Sequence, residues 1–276
     1  MIYLNCFIGK FHMATCMLPY KVTAFGISDV GLVRQNNEDV LELIPEFNFF
    51  ILADGMGGHQ AGEIASREAV DALCRLVKNK INPIKEKISQ EKLCLLLSKA
   101  IQHVNLFIYK MGQVQHDLRG MGTTLCCLLF VQNTLIYAHV GDSRIYCFRD
   151  GKLVQLTEDH SLVRELVSQG QLSLEQATDF MYKNIITKAI GTQRSVKATV
   201  ASRDIQPGDR YLMCSDGLSD LLTTQEMESI LLSALSLQEA TEILIATANL
   251  KGGQDNITVV LVHVEDHDHQ ETKNIP

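Results

Sequence analysis

Apolar positions along the chain fall into short runs that alternate between a two-residue and a helical period. "KVTAFGISDVG" (21–31) alternates weakly, and "FNFFILA" (47–53) is a continuous apolar run of strand length. "TTLCCLLFV" (123–131) and "TLIYAHV" (134–140) flank Gln132-Asn133, and "RIYCF" (144–148) and "KLVQL" (152–156) flank Asp150-Gly151. Both pairs predict hairpins, the second more strongly, because Asp-Gly suits a two-residue turn. Two later strands are predicted in "RYLMCSDG", after the Pro207-Gly208 turn, and in "NITVVLVHV" (256–264).

Helical spacing begins at Ala61, with Ile64, Ala65, Ala69, Ala72, Leu73, Leu76 and Val77 on one face. Ser89 is placed to cap a second helix that aligns Leu93, Leu96, Leu97, Ala100, Ile101, Val104 and Ile108. Two more helices are predicted near Thr224–Ala234 and Leu237–Leu250. Strands come mostly as hairpins, with helices paired between groups of strands. That order predicts an α+β chain of antiparallel sheets covered by helices rather than β-α-β units.

Composition narrows the class. With 276 residues, 46% hydrophobic and 21% charged, the chain is an ordinary globular protein with room for a substantial core. A net charge of -7 argues against nucleic acid as a partner. No apolar run reaches the length of about 18 residues that a membrane helix needs, so no membrane partner is expected. Residues 1–19 read as an N-terminal extension, interrupted by Lys10 and His12, and residues 265–276 as a polar tail. The eight cysteines sit in apolar runs without Cys-x-x-Cys spacing, and Cys126 and Cys127 would point to opposite faces of one strand. They read as small core residues, which predicts a reducing, cytoplasmic location.

Candidate chemistry lies in acidic residues at strand ends. Asp54-Gly55 closes one apolar run and Asp216-Gly217 another. Asp255 precedes a strand, Asp142 sits between two, and Glu38-Asp39 lead into "VLELI". Each Asp-Gly alone is also common turn chemistry. Together, carboxylates beside glycines form an oxygen-rich set of the kind that Mg²⁺ and Mn²⁺ prefer. Paired cations of this type serve phosphate-ester chemistry. Spacing does not establish that positions 54, 216 and 255 meet.

Eight motifs then occur in order: "SDVGLVRQNNED" (28–39), "LADGMGGHQAGEIAS" (52–66), "GTTL" (122–125), "VGDSRIY" (140–146), "LTEDHS" (156–161), "ITKAIG" (186–191), "LMCSDGLSD" (212–220) and "GGQDNITVV" (252–260). In these, from Tyr20 to Val264, the chain resembles the metal-dependent serine/threonine protein phosphatases of type 2C in their compact bacterial form. The resemblance implies one phosphatase domain over 20–264, built as an α-β-β-α sandwich, with a flap at about 161–185. It implies two tightly bound Mn²⁺ or Mg²⁺ ions and a weaker third. Asp54 would bridge the first two and Gly55 would offer its carbonyl. Asp216 and Asp255 would complete one ligand set, with Glu38 near the other ion through water, and Asp142 would hold the third. Arg34 would grip the substrate phosphate. The implied reaction is attack on phosphoserine or phosphothreonine by a water shared between cations. Implied partners are phosphorylated proteins and a cognate kinase, with the enzyme as a monomer.

One departure and several open readings remain. Met56 stands where many eukaryotic members carry a histidine thought to act as general acid. His59 could replace it or be structural. His160 could be catalytic or a hydrogen-bonded turn residue, and Asp39 a ligand or a support for Glu38 and Arg34. Asn256 would orient Asp255 or cap its turn. His103 reads as a helix-surface residue, and Tyr137 and His139 as packing. Residues 161–184 could be a flap or a simple insertion, with Gly170 as a helix stop and Ser173 as a capped restart. Two other functions compete with turnover of phosphoproteins: a catalytically weak phosphoprotein-binding module, and a phosphatase of small metabolites.

Overall fold

The computed structural model describes residues 20–57, 60–85, 87–178, 180, 182 and 185–266. The chain opens with β1 (Tyr20–Asp29), β2 (Asp39–Ile44) and β3 (Phe49–Met56), then α1 (Gln60–Leu76) and α2 (Gln90–Val114). β4 (Gly122–Thr123), β5 (Leu125–Val131), β6 (Thr134–Val140), β7 (Arg144–Arg149) and β8 (Lys152–Gln155) follow. Next are α3 (Leu162–Ser168), α4 (Leu174–Thr178), β9 (Thr199–Asp204) and β10 (Arg210–Cys214). The chain continues with α5 (Asp216–Ser219), α6 (Thr224–Ser233), α7 (Leu237–Leu250) and β11 (Ile257–Asp266).

The strands form two antiparallel sheets, ordered β1-β11-β10-β7-β8 and β2-β3-β5-β6-β9, with β4 paired to β3. Alternation along the central strands splits their side chains between two apolar layers. In β5, Leu125, Cys127 and Leu129 face α1 and α2, while Cys126, Leu128 and Phe130 face the other sheet. In β11, Val259 and Leu261 join Leu244 and Ala248 of α7, while Val260 and Val262 fill the space between sheets. The result is the α-β-β-α sandwich that the motif order implies.

Local signals explain most boundaries. Asp150 and Gly151 both take positive φ, at 52° and 75°, as a two-residue hairpin turn between β7 and β8 requires. Ser89 caps α2 through Lys92 N–H, and Thr223 and Glu226 form a reciprocal capping box on α6. In the predicted flap, Ser161 caps α3, Gly170 stops the turn after it at φ 71°, and Ser173 and Gln176 cap each other at the start of α4. β11 runs to Asp266, two residues into the stretch expected to be a polar tail, because Tyr20 and Lys21 of β1 pair with Asp266 and Glu265. Residues 1–19, 267–276 and His59 lie outside the described residues. Among the described residues no helix is long and apolar enough to cross a membrane.

Candidate active site

The acidic residues singled out in the sequence lie at strand ends that the topology brings together. Asp54 closes β3, and its register partner across the ladder is Asp39 at the start of β2. Asp216 follows β10 and Asp255 precedes β11, which pair with each other. Asp142 follows β6 in the turn to β7.

Proximity shows in their electrostatics. Burial, then the charges of Asp39, Asp216, Asp142 and Asp255, push the Asp54 carboxyl well above the ordinary carboxylate range. Burial and then Asp142 and Asp255 push Asp216 up to about 8. Asp142 is raised to about 6, by burial first and then by Asp159. Asp39 is also raised to about 6 by burial, against hydrogen bonds from Thr258 and Ser215. Crowded carboxylates that resist ionisation are stabilised by a counter-cation.

The backbone around Asp54 is held from two sides. Asp54 N–H donates to Thr124 Oγ1 at 2.9 Å, Thr124 N–H donates to the Asp54 carbonyl at 2.8 Å, and Thr123 Oγ1 donates to that carbonyl at 2.8 Å. This is the structural content of "GTTL". Glycines serve close approach: a Cβ at Gly62 would run into the Glu38 carboxylate, and one at Gly55 into the Gly62 carbonyl. The start of α1 therefore lies against the loop that carries Glu38. Ser66 of α1 donates to the Glu38 carbonyl at 2.6 Å.

Asn256 fastens the 30–38 loop to β11. Its side-chain N–H groups donate to the carbonyls of Val30 and Asn36, at 3.0 and 2.9 Å. Its Oδ1 accepts from Glu38 N–H at 2.8 Å, and its own backbone N–H donates to Asp255 Oδ1 at 2.8 Å. Of the roles left open for Asn256, its backbone N–H bears on the orientation of Asp255, while its side chain ties down the 30–38 loop. Arg34, assigned to substrate phosphate, donates from Nη2 to Asp255 Oδ2 at 2.7 Å, and both side chains are partly exposed. The two residues to which the resemblance would give the roles of metal ligand and phosphate clamp are thus in contact.

The open readings resolve in part. Asp39 is buried, accepts from Ser215 Oγ at 2.8 Å and faces Asp54 across the β2–β3 ladder. His160 accepts the Gly141 N–H on Nδ1 at 3.1 Å, so it is a turn histidine. Burial, His139 and Lys188 lower it to about 4 and keep it neutral. His103 is exposed on α2, and Met56 ends β3 opposite Gly122. Spacing points to Asn256 beside Asp255 but not to the supports at Thr124, Ser215 and Gly62, for which the available signal is their place within the motifs.

The residues present fit hard divalent cations. All candidate side-chain donors are carboxylate oxygens, and Asp39 Oδ1 and Asp142 Oδ1 are buried without a hydrogen-bond partner. Among the described residues no three acidic, His or Cys side chains form a closed cage for an ion. Mg²⁺ and Mn²⁺ keep several waters and do not need such a cage.

Comparison with known proteins identifies the family. The family model described as Protein phosphatase 2C matches residues 31–252. The serine/threonine phosphatase stp of Listeria monocytogenes is 41% identical over 238 residues, 85% of this chain and 93% of that protein. The serine/threonine protein phosphatase PstP of Mycobacterium tuberculosis is 40% identical over 90% of this chain, which spans 46% of that longer protein. Among solved structures, the PstP catalytic domain in complex with two manganese ions is 38% identical, with a TM-score of 0.77 over 89% of this chain and 99% of that one. Stp1 from Staphylococcus aureus is 32% identical, with a TM-score of 0.82 over 90% and 97%. The chain belongs to the protein phosphatase 2C family.

Proposed function

We propose that the acidic end of the sandwich holds two divalent cations beside a phosphate clamp, and that with them the chain hydrolyses phosphoserine and phosphothreonine on other proteins. The observation that carries this reading is the crowding of Asp39, Asp142, Asp216 and Asp255 around Asp54. Asp54, which feels the charge of all four, would hold both ions. Asp216, Asp255 and the Gly55 carbonyl would serve one of them, Glu38 the other, and Asp142 a weaker third ion. When bound, Mn²⁺ or Mg²⁺ supplies Lewis acidity that activates water near neutral pH and offsets phosphate charge.

The chain's own residues do the rest. Arg34 offers parallel N–H donors that match a phosphate and hold it for in-line attack. Its pair with Asp255 is half in solvent and worth at most about 1 kcal/mol, so the two exchange partners at little cost. Met56 has no proton to give, so the leaving oxygen takes its proton from water or another residue. Asp39, Thr124, Ser215 and Asn256 fix the ligands' backbones and leave the chemistry to others.

Phosphoprotein substrates require a Ser/Thr kinase to make them, which defines the functional partner by chemistry. We take the enzyme as a cytoplasmic monomer; the free thiols among the described residues, Cys74, Cys94, Cys126, Cys127, Cys147 and Cys214, support a reducing compartment. A panel of phosphothreonine peptides and phosphorylated metabolites tests the substrate class. Turnover of the peptides with Mn²⁺ is expected. Preferred metabolite turnover would support the small-molecule alternative, and peptide binding without turnover the non-catalytic one.

A further inference from the structure

His160 and His139 are stacked in the interior beside the turn that carries Asp142. Their ring centroids are 4.6 Å apart with planes at 10°, and they are 8% and 1% exposed. Hydrogen bonds fix their tautomers. Gly141 N–H donates to His160 Nδ1, so the proton of that ring is on Nε2, which lies 3.1 Å from Thr199 Oγ1. His139 Nε2 lies 2.9 Å from the Glu158 carbonyl, an acceptor only, so His139 Nδ1 is bare, and it is buried with no partner.

An unsatisfied nitrogen in a buried pair is a cost that two hydrocarbon side chains would avoid. What imidazole adds at position 160 is an acceptor for the Gly141 amide. Gly141 takes φ +104°, and a Cβ there would collide with Thr124, whose Oγ1 in turn accepts from Asp54 N–H and bonds Ser143 Oγ at 2.7 Å. The 141–143 turn is therefore pressed on Thr124 from one side and tied to His160 on the other. The backbone of His160 closes the arrangement: its N–H donates to the Gly141 carbonyl at 3.0 Å, and its carbonyl accepts from Thr187 N–H at 2.8 Å.

We infer that His160 is a positioning residue for Asp142: its Nδ1, braced by His139 and Thr199, fixes the Gly141–Asp142 turn and so the carboxylate that holds the third cation. The inference rests on the assignment of Asp142 under the proposed function, and it adds a residue that touches neither cation nor substrate.

Two substitutions separate this from packing. His160→Phe keeps a flat ring on His139 but has no acceptor; His160→Asn offers an acceptor through Oδ1 but loses the stack. Positioning predicts that the Phe variant loses turnover to about the level of Asp142→Ala, while the Asn variant stays within a few-fold of wild type at a lower melting temperature. Calorimetry with Mn²⁺ should show the tight sites intact and the weak one lost in the Phe variant alone. Exchange of the Gly141 amide should be about two- to tenfold faster there, as expected for loss of one hydrogen bond. Adding His160→Phe to Asp142→Ala should cost no further turnover. The reverse pattern, full turnover in Phe and loss in Asn, would overturn the inference. Should the Phe variant not fold, the Asn variant decides: near wild-type turnover supports the acceptor role, and turnover at the Asp142→Ala level contradicts it. If Asp142→Ala alone kept full turnover while Gly141 exchange still rose in the Phe variant, the metal assignment would fail and the positioning contact would stand.

Discussion

Arg34 Nη2 lies 2.7 Å from Asp255 Oδ2, across 221 residues of sequence. The contact joins the loop after β1 to the start of β11 at the mouth of the acidic site. Asp255 heads the causes that raise Arg34 further above the pKa usual for an arginine, so the guanidinium stays charged at any working pH. A charge-assisted contact to phosphate is worth about 1.5–3 kcal/mol, or roughly tenfold to a hundredfold in affinity. Arg34→Ala should therefore raise KM for a phosphopeptide by about that factor, with a smaller fall in kcat and unchanged Mn²⁺ binding. Wild-type KM and kcat in this variant would make Arg34 a surface ion-pair residue only.

Thr124 is fully buried and binds the Asp54 N–H. Thr124→Val keeps the shape but leaves that amide without its acceptor, at a cost of about 1–3 kcal/mol. Urea unfolding should show this loss, and kcat should fall because the Asp54 backbone is freed. Unchanged stability would mean that water replaces the hydroxyl.

Asp142 and Asp54 are expected to differ in kind. If Asp142 holds only a weaker ion, Asp142→Ala should lower turnover sharply while calorimetry still finds two tight sites. Loss of all metal binding would place Asp142 in the tight pair or in the fold itself.

Stability should depend on pH in a direction that the carboxylates set. Burial, then Asp142 and Asp255, raise Asp216 to about 8, against about 3.9 for an unfolded Asp. Between these values the metal-free folded chain binds more protons than the unfolded one, so its stability falls as pH rises. His160, lowered to about 4 from 6.5, works in the opposite sense below 6.5, which leaves a clean window from 6.5 to 8. The melting temperature of chelated protein should fall across that window, and Mn²⁺ should reverse the fall because it replaces the proton. A flat or rising profile after chelation would contradict the crowding of Asp54 and Asp216.

Much of this was legible because the strongest signals are local. Asp150-Gly151, Ser89, Gly170 and Ser173 each act within a few residues, and the apolar runs of β3, β5 and β11 are buried on both faces. β9 was missed because "TVASRD" is a half-exposed strand with polar residues on the outer face, at the end of its sheet beside β6. The acidic residues were legible as types at strand ends, but their meeting depends on sheet order, which no spacing records. The contacts that hold them are long-range: Asn256 reaches Val30 and Asn36, Thr124 reaches Asp54, and Ser215 reaches Asp39. His160 reads from sequence as a turn residue ahead of a base, and the Gly141 N–H on its Nδ1 supplies the partner that the turn reading needs.

The central claim is that hydrolysis depends on cations held by Asp54. The direct measurement is phosphate release from a phosphothreonine peptide by exhaustively chelated enzyme whose metal content is confirmed as zero, followed by Mn²⁺ back-titration of wild type and Asp54→Asn. Wild type should be inactive until Mn²⁺ is added and then recover fully, while Asp54→Asn stays near background at every Mn²⁺ and peptide concentration. Turnover by the metal-free enzyme, or recovery of Asp54→Asn to wild-type kcat, would contradict it.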